Sequence, residues 1–396
     1  MFASPNGMNR RGFLRVSSGA AVAAVATACA PAAAPEPAPA APAAAPNAAA
    51  VAQDTAFKKQ WDELVAAARK EGQLMCVMGT GGTGWKRVLE NFEKTYPGIA
   101  TENTSFASIN LWAPRVTQEM KSGVYTWDVA VQGPTTSLRV LKPQGAYDPI
   151  RPLLLHPEVL DSQKWYTGFE GGFIEEKKPD TGYSFQWDIR RQLWVNTDTI
   201  KPGQIKTVQD LLKPEFKGKM AFQDPRNSGH TYLLSTVLRL KYGNDFLKKL
   251  FVDQEPTILR DTRAAAEGLI RGKFLVVTGI DGSILSDFKE KGIPFKVDTL
   301  ATPDGDFLFG GSPIFAMAKP PHPNAAKLFI NWFLGKEGQT SVSKHIEYNS
   351  RRKDVEPFDK STIPQEGDEK KLMRLDAEAI MDDIEKSQEV AKQLLG

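Results

Sequence analysis

Two long extended segments set the architecture this chain can adopt. Residues 183–196 and 306–318 are rich in aromatic and branched side chains without a helical period, and they bracket a block, 197–305, with strands and helices of its own. A chain that leaves one unit along an extended segment and returns along another builds a discontinuous first lobe around an inserted second one. The expected boundaries are 54–185 for the first part of lobe 1, 186–311 for lobe 2 with its crossover strands, and 312–396 for the return of lobe 1 with C-terminal helices.

Within the lobes the pattern alternates. Phe57, Trp61, Leu64, Val65 and Ala68 recur at helical spacing, so 55–70 is an amphipathic helix. Leu74–Met78 is a short continuous strand, and its Cys76 is read as a small core hydrophobe. Trp85, Val88, Leu89 and Phe92 mark a second helix, stopped by Tyr96-Pro97-Gly98. A strand at 99–103, a helix at 109–122 and a strand at 127–132 follow. The later block repeats the style, with strands at 218–223 and 274–278 and helices at 228–242, 261–271 and 282–291. Such alternation predicts parallel or mixed α/β sheets with helices on both faces. Two helices are expected around Gly335. A last amphipathic helix is expected in the charged tail from Asp368, through Leu372, Leu375, Ile380, Ile384 and Val390.

The charge balance is 50 Lys+Arg against 47 Asp+Glu. Arg10, Arg11 and Arg15 lie in the first 28 residues, which hold no acid; without them the totals match at 47 each. A neutral remainder with interspersed charges argues against nucleic-acid binding, which needs a clustered basic surface. Two Cys exclude a disulfide scaffold and Cys-rich zinc modules. Asn9-Arg10-Arg11-Gly12-Phe13-Leu14-Arg15, followed by the weakly apolar Val16–Ala28, resembles a twin-arginine export signal. Ala26-Thr27-Ala28-Cys29 resembles a bacterial lipobox, with Ala26 where Leu is usual, and makes Cys29 the expected lipidation site. The Ala/Pro-rich stretch 29–53 cannot bury a core and reads as a tether; about 20 extended residues reach ~60 Å. The expected location is extracytoplasmic, on a lipid anchor. Cleavage near Ala28 would instead leave a free protein.

Gly79-Thr80-Gly81-Gly82-Thr83-Gly84 fits the glycine pattern of a dinucleotide-binding turn, after a strand and opening a helix, with Glu102 near the place of a ribose-binding acid. An exported NAD(P)-dependent oxidoreductase using Gly79, Gly81 and Gly84 is therefore the alternative reading. Against it, a helix precedes the motif strand, and no dehydrogenase signature follows. A Gly/Thr-rich turn also serves any small polar ligand through backbone N–H groups. Trp85 between Gly84 and Lys86 excludes a P-loop. The four His show no His-x-x-x-His spacing, and there is no Gly-x-Ser-x-Gly elbow. No catalytic residue, metal ligand or cofactor is assigned.

Several segments together resemble the bacterial extracellular solute-binding proteins of ABC importers, in the branch with ferric-, thiamine-, polyamine- and phosphonate-binding members. They are Phe92-Glu93-Lys94-Thr95-Tyr96-Pro97-Gly98-Ile99, Trp127-Asp128-Val129 and Leu211-Leu212-Lys213-Pro214-Glu215-Phe216-Lys217-Gly218-Lys219. Asp224-Pro225-Arg226-Asn227-Ser228-Gly229, residues 323–339 and Ser350-Arg351-Arg352-Lys353-Asp354-Val355 complete the set. The resemblance implies a type II periplasmic-binding-protein-like fold, two α/β lobes closing on a small polar solute. It also implies a permease partner, a monomer and no catalysis.

Ligand sites in such sheets lie at strand C-terminal ends and helix N-termini. The candidate ligand-binding residues are Thr80, Gly81, Thr83, Trp85, Thr135, Trp187, Arg190, Ser228, Gly229, His230 and Asp281. Trp187 offers stacking, Arg190 a bidentate clamp for a carboxylate or phosphonate, and Asp281 a partner for a cationic or hydroxylated group. The ferric branch places adjacent tyrosines where this chain has Gly279-Ile280-Asp281-Gly282. No Tyr-Tyr pair occurs in the sequence, so that mode of iron binding is not expected.

Overall fold

The computed structural model describes residues 48–396 except 80–82, 107–108, 228, 281 and 366. The chain divides into Met1–Val51 and Ala52–Gly396, and the second unit carries the fold. The export signal, Cys29 and most of the tether lie outside the described residues.

The helix Ala48–Glu71 sets Leu64 and Ala68 into the first core and Trp61 edge-on to His156. It leads into β1 (Gln73–Met78), which pairs in parallel with β2 (Ala100–Asn103) and β3 (Val129–Val131). The connections are the helices Gly84–Thr95 and Ile109–Lys121. Short β4 (Tyr147–Asp148) and β5 (Gly182–Tyr183) follow. Next come β6 (Asp188–Arg190), β7 (Leu193–Asn196), β8 (Met220–Gln223), β9 (Thr257–Leu259), β10 (Val276–Thr278) and β11 (Val297–Leu300). β12 (Phe307–Phe309) and β13 (Ile314–Met317) complete the set.

Two main sheets result. The first runs β2-β1-β3-β13-β4, with β5 also on β13; the second runs β11-β7-β10-β8-β9. β13 is antiparallel to β3, and β7 to β10, so both sheets are mixed. A row of parallel strands with an antiparallel neighbour inserted is not the dinucleotide-fold order expected of the alternative reading. The extended segment 183–196 is not one strand. It is cut into β5, β6 and β7 because it changes partners twice, from the first sheet, to β12, to the second sheet. β12 and β13 divide the return segment the same way, and β6 and β12 form a separate two-stranded crossing.

The tail departs from expectation. Residues 368–380 hold only single 3-10 turns, and the helix begins at Met381, running to Leu395. Before it, Leu308 N–H donates to Met373 O (2.8 Å) and Leu375 N–H to Leu308 O (3.0 Å), so the chain lies alongside β12. The helix then packs on the His230–Tyr242 helix, with Val390, Leu394 and Leu395 against the second core. Assigning all of 312–396 to lobe 1 therefore misplaces this helix. Five-residue gaps between apolar positions, as from Leu375 to Ile380, do not keep one helical face, and the chain uses Leu375 in the crossing instead.

Candidate functional site

The parallel strands β1, β2 and β3 end at one edge of the first sheet, and β8, β9 and β10 at one edge of the second. The connections that leave these ends begin at Gly79, Thr104 and Gln132, then at Asp224, Arg260 and Gly279. Among the described candidates, Thr83, Thr135 and Gly229 follow these ends, and Trp187 and Arg190 lie on the crossing. Thr80, Gly81, Ser228 and Asp281 lie outside the described residues.

On the first edge the Asn103 carboxamide knits two strand ends. Its Oδ1 accepts the Met78 N–H at 2.8 Å and its Nδ2 donates to Met78 O at 3.2 Å. Gly79 N–H donates to Val131 O at 3.3 Å. Trp85 is not a ligand platform: it is buried, stacked on Phe333 at 6.4 Å, with its indole folded over Gly79. A Cβ on Gly79, whose φ is +65°, would lie 2.2 Å from Trp85 Nε1. A Cβ on Gly84 would lie 2.3 Å from the His345 carbonyl oxygen. Packing thus explains both outer glycines of the motif without a nucleotide. Thr83 is exposed, and Thr135 is half-buried in the turn that opens with Pro134.

On the second edge one side chain organises two loops. Gln223 ends β8, and its Oε1 accepts the N–H of His230 at 2.8 Å and of Thr231 at 3.5 Å, capping the His230–Tyr242 helix. Gly229 and Gly279 flank that side chain; a Cβ on Gly229 would stand 2.4 Å from its Oε1, and one on Gly279 2.3 Å from its Cβ. The Thr231 hydroxyl is buried and shared with Thr278 at 2.5 Å, so it faces the core. His230 remains half-buried beside Gly229.

The crossing holds the strongest electrostatics. Trp187 is buried, with the Arg351 guanidinium 4.5 Å and the Arg374 guanidinium 5.8 Å from its ring centre. The stacking surface expected for a ligand is therefore already occupied. Arg374 pairs with Asp376 through two bonds of 3.0 and 2.8 Å, and Ser184 Oγ donates to the same carboxylate at 2.5 Å. Arg351 has no carboxylate partner among the described residues; burial, then Arg374, pulls its guanidinium down to about 9. Asp188 is pushed up to about 6 by burial, against the pull of Arg190. Asp306, just before β12, is pushed up to about 7 by burial, although it accepts two bonds from Thr302. Arg190 keeps its guanidinium partly open, between the rings of Phe309 (5.8 Å) and Tyr348 (5.5 Å).

Sequence reasoning missed Gln186, Asp188, Arg351, Arg374 and Asp376. A signal existed for two of them: Ser184, Gln186 and Asp188 place a polar side chain at every second position of an otherwise aromatic extended run.

The model of the family described as bacterial extracellular solute-binding protein matches residues 87–367. An uncharacterized protein of Haemophilus influenzae is 31% identical over 159 residues, 37% of this chain and 43% of that protein. The match thus spans less than half the length of that curated relative. Iron-bound HitA from Pseudomonas aeruginosa superposes with a TM-score of 0.63 at 17% identity, covering 82% of this chain and 99% of that one. Trichodesmium FutA with iron and citrate gives 0.63 at 13% identity, covering 82% and 99%. AfuA from Actinobacillus pleuropneumoniae with fructose-6-phosphate gives 0.55 at 18%, covering 82% and 96%. At these identities the structures share the fold, two lobes around a cleft.

Proposed function

Because this chain belongs to the bacterial extracellular solute-binding proteins, we propose that it captures a small polar solute between its lobes and delivers it to the permease of an ABC importer. The observation that carries this is the family match across 87–367, which takes in the second sheet, the crossing and every strand of the first sheet but β1. The physics of capture is a population shift: a solute that touches both lobes only when they are closed favours closure by that differential contact. No bond is made or broken. The oxidoreductase alternative has no support: the family match is to solute-binding proteins, and packing against Trp85 and His345 accounts for Gly79 and Gly84.

Iron, bound in two of these structural neighbours, is not carried over. Among the described residues no group of three or more His, Cys, Asp or Glu stands ready for a metal. The proposed location is extracytoplasmic, with Cys29 as lipid anchor at the end of the Ala/Pro tether. Cys29→Ser should release the protein from membranes; retention would refute the anchor.

The functional test is a thermal-shift panel of amino acids, polyamines, thiamine, phosphonates, organic acids, sugars, ferric citrate and NADH, with native mass spectrometry of the purified protein. A solute at 100 times its dissociation constant stabilises by about 2.7 kcal/mol, a shift of several degrees. A response to one solute class supports capture. A response only to NADH, or no response and no co-purified molecule, refutes it.

A further inference from the structure

Unsatisfied buried polarity is concentrated on the outgoing crossover. Among the described residues, fifteen buried side-chain nitrogen and oxygen atoms have no hydrogen-bond partner, and seven belong to residues 186–192. They are both amide atoms of Gln186 and of Gln192, Asp188 Oδ2, and the Nε of Arg190 and Arg191. Buried polar groups are ordinarily paired, because an unpaired one forfeits its hydration for nothing. A single seven-residue stretch that keeps so many is suited to a state in which another molecule supplies the partners.

Arg190 is the charged group of this stretch best placed to meet such a molecule. Its side chain is 27% exposed, whereas Asp188, the nearest carboxylate at 4.0 Å, is 9% exposed. That separation is too long for a hydrogen bond, and burial disfavours the ionised form of Asp188, so Arg190 has a weak counter-ion. The rings of Phe309 and Tyr348 lie 5.8 and 5.5 Å from the guanidinium, its Nε is buried without a hydrogen-bond partner, and its side chain stays 27% exposed, so its N–H groups are left to an incoming oxyanion. Tyr348 lies three residues after His345, whose carbonyl lies against Gly84 at the start of the Gly84–Thr95 helix, so the ring stands close in sequence to the first-lobe edge. The buried Arg351 is enclosed by Trp187, Thr167 and Gly171, and the buried Arg352 is paired with Asp354, so neither competes for the role.

Resting on the solute-binding reading above, we propose that Arg190 reads the charge of the solute, taking one of its oxyanionic groups, a carboxylate or a phosphate ester, beside Phe309 and Tyr348. Isothermal titration of the full chain with citrate, glucose 6-phosphate and inorganic phosphate, against neutral glucose and cationic spermidine, tests this. At least one anion should bind. Arg190→Gln should weaken it roughly ten- to a hundredfold with the melting temperature of the unliganded protein unchanged. Arg190→Lys should recover part of the loss, as a point charge without the fork. Citrate alone would identify a carboxylate ligand and glucose 6-phosphate alone a phosphate ester. Full affinity in Arg190→Gln, or binding of glucose or spermidine only, would overturn the assignment while leaving solute capture intact. Binding of none of the five would also overturn it, whereas capture itself stands or falls on the wider panel.

Discussion

The Asp128 carboxylate clasps His322 at two points: Oδ2 lies 2.9 Å from the imidazole Nδ1, and Oδ1 accepts the His322 backbone N–H at 2.7 Å. Oδ2 also accepts the Met75 N–H at 2.7 Å, so one fully buried carboxylate ties β1 to the residue preceding the Pro323–Leu334 helix. Removing it would strand these donors. Asp128→Ala should cost about 2–4 kcal/mol in urea unfolding, and Asp128→Asn less. A loss below about 1 kcal/mol would contradict this clasp.

The glycine-rich turn gives a second prediction. Gly79→Ala would set a methyl group against the Trp85 indole at a positive φ, and Gly84→Ala would press one on the His345 backbone. Each should destabilise by about 1–3 kcal/mol, read from urea midpoints at constant slope. If instead both variants kept full stability and lost NADH binding, the glycines would be serving a nucleotide.

Neighbouring acids at the start of the last helix face different partners. Asp383 accepts Arg239 Nη2 at 2.6 Å, and the same guanidinium donates to Ser387 Oγ at 2.8 Å. Asp382 pairs with Arg139 and is 69% exposed, against 32% for Asp383. Asp383→Ala should therefore cost about 1–2 kcal/mol and Asp382→Ala less than about 0.5 kcal/mol. Equal effects in chemical denaturation would show that exposure does not control these pairs.

Asp306 gives the pH prediction. Its folded-state value, about 7, lies above the ordinary 3.8, so the folded state binds its proton more tightly than the unfolded chain does. That contribution to stability is fully present below the unfolded value and is lost as pH rises through about 7. Asp306→Asn cannot ionise. The melting temperature of Asp306→Asn relative to the parent should accordingly move in the variant's favour between pH 5 and pH 8. A constant difference across that range would rule out titration of this group.

Much of the fold was legible because its signals are local. The periodicity of Trp85, Val88, Leu89 and Phe92 marks a helix whose buried face is those four residues. The strand at Leu74–Met78 and the twin helices around Gly335 follow from equally local patterns. β9 and β11 escaped notice: they are the edge strands of the second sheet, short and only half-buried, so neither alternation nor a continuous apolar run marks them.

The placement of the candidate positions was legible in part. Loop positions such as Gly229 and Thr135 follow from strand ends, and Arg190 from its place on an extended crossing. What an aromatic or a glycine does there depends on residues far along the chain. Trp85 and Trp187 are both candidate ligand-binding residues from the sequence, yet Phe333 covers one and Arg351 the other. The sequence by itself determined the alternating α/β elements, the two crossings, and the residues that mark the family. Only the tertiary structure decided which polar groups find partners, because pairing across 150 residues or more is set by how the sheets and the last helix pack, not by local pattern.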